Sequence, residues 1–68
     1  MVNYNKLWKK LIDKNLKKTD LIKLAGISSA TLAKMSDNQP VRMETLIKIC
    51  TVLECDLSDI ATLSSVEK

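Results

Sequence analysis

The stretch LKKTDLIKLAGISSATLAKM, residues 16–35, decides how this chain is read. Its apolar residues Leu21, Ala25, Ile27, Leu32 and Met35 recur at helical spacing on either side of Gly26, the only glycine in the sequence. Glycine at a helix end takes the left-handed conformation without a Cβ penalty and turns the chain sharply. Ser28 follows with a hydroxyl suited to capping a new helix. The pattern predicts a helix from about Lys17 to Ala25, with Leu21, Leu24 and Ala25 available for burial and Asp20 near its positive end. Its start stays open between Lys17 and a cap at Thr19. A second helix over about Ser29–Ser36 buries Leu32 and Met35 and exposes Ser29, Ala30, Thr31 and Lys34. Two short helices joined this way meet steeply, so the outer face of the second protrudes. A protruding helix fits the major groove of B-DNA, where each base pair shows a distinct pattern of donors and acceptors.

Working outward, Leu7 and Leu11, with Trp8 and Ile12 as further candidates, form the apolar stripe of a helix over about Asn5–Lys14. Lys6, Lys9, Lys10, Asp13 and Lys14 take its other side and read as a solvated face. Downstream, Asp37, Asn38, Gln39 and Pro40 make a loop. Leu46, Ile49, Cys50 and Leu53 then mark a helix near Met43–Leu53. Asp56 caps a last short helix holding Leu57 and Ile60, with Asp59 at the capping-box position. The expected fold class is all-α, a compact five-helix arrangement. The 68 residues make a single domain with its core at about 5–61 and a frayed tail over 62–68.

Composition excludes several classes of function. The sequence has no His, and Cys50 and Cys55 lack the spacing of metal ligands or redox motifs. A disulfide between them would close a tiny loop and compete with the helical pattern, so both are read as reduced thiols, Cys50 in the core. The N-terminus does not resemble a signal peptide, and no apolar run approaches a membrane span. A cytoplasmic protein is expected. Nothing suggests a catalytic Ser or Cys beside a base, or a phosphate-cradling glycine loop, so no enzyme, metal, cofactor or small-molecule ligand is expected.

Charge is unevenly spread. Residues 1–35 carry eight Lys against two acids, whereas residues 36–68 carry three cations against six. A basic half beside an acidic half suits a protein that turns one face to a polyanion. With only two aromatics in the chain, Trp8 reads as a core or dimer contact, not as a platform for stacking bases.

Residues 16–35, followed by METLIKICTVL at residues 43–53, resemble the Xre/Cro-CI helix-turn-helix family, in particular its small stand-alone members. The resemblance implies a lambda-repressor-like domain and a sequence-specific regulator binding double-stranded DNA, with repression as the expected sign. Carried over by position, it implies that Ser29, Ala30 and Lys34 face base edges with Thr31 nearby. It places Lys17, Lys18 and Ser28 at phosphates, and has Asn38, Gln39, Val41, Arg42 and Met43 hold the other flank of the backbone. The small size predicts a homodimer, since one short recognition helix buries little surface and two half-sites multiply affinity, with Leu57, Ile60, Leu63 and Val66 as the candidate interface. The chain departs from the family at Ile22, where Ala is usual, and at Leu11 and Ser36, where many members pair Arg with Glu. Arg42 stands where Ser commonly caps the fourth helix. A rival reading keeps the fold but makes it a protein-interaction module acting on another regulator or as an antitoxin.

Overall fold

Each of the four α-helices ends on, or one residue before, a turn whose geometry the sequence only partly advertises. The computed structural model describes residues 1–63. It runs β1 (Val2–Asn3), α1 (Asn5–Asp13), α2 (Lys18–Ala25), α3 (Ser29–Ser36), α4 (Met43–Leu53), a 3-10 turn (Leu57–Asp59) and β2 (Thr62–Leu63). Gly26 is left-handed at φ 67°, as its position requires. Asn15, Asn38 and Glu54 are left-handed as well, at φ 59°, 56° and 54°. At these three ends the following N–H reaches back to a carbonyl five residues earlier: Leu16 to Leu11, Gln39 to Lys34 and Cys55 to Cys50, at 2.8 to 3.0 Å. Each bond satisfies a carbonyl that the helix end would otherwise leave unpaired.

The core gathers Leu7 and Leu11 of α1, Leu21 and Ala25 of α2, Ile27 of the turn, Leu32 and Met35 of α3, and Leu46, Ile49 and Leu53 of α4. Tyr4 and Ile60 close it from the two ends of the chain. α4 packs against α2 and against the 3-10 turn, while α2 also packs against α3, so α2 and α4 hold the protruding helix. Trp8, Leu16, Ile22, Val41, Cys50 and Cys55 are half-buried around this core. Cys50 is thus a flanking residue. Ile22 is accommodated at the edge of the packed layer.

Several expectations are corrected. The expected fifth helix is a three-residue 3-10 turn, and the fold is mostly helical with four α-helices and a small two-stranded sheet. The turn stops early because Ile60 must enter the core, where it is fully buried. Thr62 and Leu63, read as part of a frayed tail, pair antiparallel with β1 in the register Val2 to Leu63 and Asn3 to Thr62. Val2, packed on the core, gives that pairing something to lie against. Residues 64–68, including Val66, lie outside the described residues. Burial of Ile60 removes it from any dimer contact, whereas Leu63 is 80% exposed. Ile12 and Leu24 turn outward, because α1 and α2 each offer the core only two buried residues. Among the described residues no helix is long and apolar enough to cross a membrane.

Candidate nucleic-acid interface

α3 begins with a built cap. The Ser28 Oγ accepts the Thr31 N–H at 3.1 Å and lies 2.9 Å from the Thr31 hydroxyl. This satisfies one donor of the helix start. Burial of Leu32 and Met35 fixes the rotation of α3, and Ser29, Ala30, Ala33 and Lys34 face outward. Three of the four residues expected at base edges therefore share one exposed face. Thr31 does not: it is half-buried, with its hydroxyl turned to Ser28. Ala33 is an addition to that face, and its i+4 spacing from Ser29 is the signal that locates it.

Beside this face runs an open polar groove of about 350 Å³. Gly26, Ile27, Ser28, Thr31 and Lys34 form one side, and Val41, Arg42, Glu44, Thr45 and Lys48 the other. Lys34, Arg42 and Lys48 outnumber Glu44, so the groove is net cationic. Arg42 occupies the N-cap of α4 without a side-chain cap bond, while its carbonyl accepts the Thr45 N–H at 3.0 Å. Helix starts attract anions, and Arg42 adds its charge to that field. Glu44, Thr45 and Lys48 were not singled out in the sequence.

The loop on the far side of the groove is anchored from the opposite end of the chain. The buried Tyr4 hydroxyl donates to the Gln39 carbonyl at 2.8 Å. Burial pushes its pKa up, an effect partly offset by a hydrogen bond with the Val41 backbone. Tyr4 thus positions both neighbours of Pro40, and with them the approach to Arg42. Sequence reasoning overlooked it, although Tyr4, Leu7 and Leu11 share the 0, 3, 7 spacing of one helix face. Asn38 and Gln39 are exposed, and the Gln39 amide lies 3.4 Å from the Asp37 carboxylate.

The two lysines at the start of α2 differ. Lys17 is exposed, and its backbone N–H donates to the Asp20 carboxylate at 2.8 Å, which places the helix start at Lys18 and removes the alternative at Thr19. Lys18 turns back over the protein. Its Nζ sits 4.2 Å from the centre of the Trp8 ring and 3.4 Å from the Ser36 Oγ. A cation over an indole face is attracted by the ring quadrupole. Lys18 therefore ties α1, α2 and the end of α3 together.

The site is thus an exposed, capped helix flanked by a cationic groove. The chain matches the Cro/C1-type HTH DNA-binding domain over residues 6–65. It belongs to that family. A crystal structure of the transcriptional regulator VanUg (form II) is similar, with 46% sequence identity and a TM-score of 0.87. The match covers 90% of this chain and 81% of VanUg. No curated protein matches the chain. As a Cro/C1-type domain, α2, the turn at Gly26 and α3 constitute its helix-turn-helix unit.

Proposed function

We propose that this Cro/C1-type domain is a transcriptional regulator that binds double-stranded DNA sequence-specifically, with α3 in the major groove. The observation that carries the reading is the exposed Ser29, Ala30 and Lys34 face beside the groove of Lys34, Arg42 and Lys48. Lys34 reaches the acceptor edge of a guanine, and Ala30 touches a thymine methyl. Ser28, Lys17, Asn38, Gln39 and Arg42 lie at the margins and hold phosphates, with Lys18 contributing after leaving Trp8. Small side chains at Ser29 and Ala30 make direct readout sparse, so backbone contacts and DNA shape supply much of the affinity. The similarity to VanUg, itself described as a transcriptional regulator, supports the same role.

The protein works in the cytoplasm as a homodimer and represses by occluding the site it occupies. One eight-residue reading helix buries little surface, and two half-sites a helical turn apart multiply affinity. An apolar hollow of about 490 Å³ among Val2, Met43, Leu46, Leu57, Ala61 and Leu63 supports such pairing. The rival reading as a protein-interaction module needs an apolar outer face on α3, and that face carries Ser, Ala and Lys instead.

Selection of bound sequences from a random duplex pool tests the proposal. The expected result is an enriched two-fold symmetric site whose affinity falls steeply with salt, as counterions are released. Binding without any enriched sequence, or none at low salt, contradicts it.

A further inference from the structure

Cys50 stands in the last turn and a half of α4, and Cys55 lies just beyond the helix. Glu54, left-handed between them, folds the chain back so that the Cys55 N–H donates to the Cys50 carbonyl at 3.0 Å. Helix ends of this kind bring the side chains that flank the turn into contact. Here those side chains are two half-buried free thiols. Cys55 lies outside α4, so only Cys50 of the pair is held by helical backbone. Both thiols open onto a shallow cavity of about 390 Å³ shared with Glu54, Asp56 and Asp59. Among the described residues no three His, Cys, Asp or Glu side chains group as metal ligands, so the chemistry on offer is that of the thiol pair.

We propose that Cys50 and Cys55 form a thiol–disulfide exchange site that takes small cationic or neutral disulfides in preference to anionic ones and closes to an intramolecular disulfide. The thiolate of one cysteine attacks a sulfur of the small disulfide, forming a mixed disulfide and expelling one small thiolate. The second cysteine, as thiolate, attacks the protein sulfur of that mixed disulfide and expels the second small thiolate. Two protons leave the cysteines and end on the two released thiols. The two electrons lost in making the protein S–S bond reduce the small disulfide. Glu54, Asp56 and Asp59 set the preference, since their carboxylates repel an acidic oxidant and attract an ammonium-bearing one. Cys50 lies seven residues from Met43, roughly 10 Å along α4 at 1.5 Å per residue. The new bond therefore clips one end of α4 and leaves the cationic groove at the other end open.

The test treats the reduced full-length chain with cystamine, a bis-ammonium disulfide, or with oxidised glutathione, at low ionic strength. Intact mass and free thiols are followed with time. The expected end point is a monomer short of two hydrogens, with both thiols lost at a rate independent of protein concentration. Dithiothreitol reverses it, and cystamine acts roughly fivefold or more faster than glutathione disulfide. Closing the short loop raises the melting temperature by about 5 °C or more. Cys50→Ser and Cys55→Ser each stop at a stable mixed disulfide. Wild type that also stops there, or that yields only disulfide-linked dimers, overturns the site. Equal rates with the two oxidants overturn the charge preference.

Discussion

The two ends of α4 have opposite characters. At its start, Arg42 and Lys48 join Lys34 across a cationic groove with Glu44 as the single acid. At its end, Cys50 and Cys55 share a cavity with Glu54, Asp56 and Asp59 and no cation. Buried Leu46, Ile49 and Leu53 hold both ends on one rigid element, so the charge gradient is fixed relative to α3. A polyanion approaching this surface therefore meets a charge gradient of fixed direction. Sequence patterning across the whole chain hinted at this polarity, but the reversal within one helix becomes visible only once the groove is assembled.

The strongest way to break the comparison is to exchange its charges. Lys34→Glu combined with Arg42→Glu lowers affinity for duplex DNA by at least about 100-fold, whereas Glu54→Lys leaves it within about twofold. Fluorescence anisotropy at a fixed salt concentration reads both. Equal losses would mean that the two ends do not differ in function.

Next in size is the support for the groove loop. Tyr4→Phe removes the hydroxyl that holds Gln39 and costs about 1–2 kcal/mol in urea unfolding. The pH dependence follows the same bond. Burial raises the pKa of Tyr4, and raises that of Cys50, where Cys55, Asp56 and Asp59 add to it. Both groups favour the protonated form in the folded state. Their contribution is complete below their unfolded values of about 10 and about 8.5 and is lost as pH climbs through the higher folded values. Melting temperature should fall from about pH 8.5 upward, and Tyr4→Phe should flatten the upper part of that fall.

A smaller effect sharpens the acidic end. Glu54 holds a left-handed backbone that costs a side-chain-bearing residue about 1 kcal/mol, so Glu54→Gly should stabilise the chain by about that amount in urea. The smallest effect belongs to Lys18. Its Nζ rests on Trp8, so Lys18→Ala should weaken specific and random DNA alike by roughly twofold and shift Trp8 emission. A loss confined to the specific site would give Lys18 a reading role.

Legibility from sequence varied with how local the cause was. Gly26, Ser28 and the spacing of Leu32 and Met35 act within a turn or two, and α3 and α4 appear with the expected bounds. The β1–β2 ladder is only two residues long on each side and exists because the chain's ends meet on the core, which no local pattern encodes. The spacing of Tyr4 to Leu7 and Leu11 marks its burial, but its hydrogen bond was illegible for the same reason: Gln39 lies 35 residues away. Lys18 was placed at a helix start, but its contact with Trp8 on another helix was not foreseen. Left-handed Glu54 carries no residue-type signal, unlike Gly26 or Asn38.

Backbone amide chemical-shift mapping, while duplex DNA bearing the selected site is added, locates the DNA-binding face directly. Docking through α3 predicts the largest changes at Ser28–Lys34, Gln39 and Arg42, with Cys50–Asp59 nearly still. Changes centred on Cys50–Asp59, with Ser29, Ala30 and Lys34 unmoved, would contradict it.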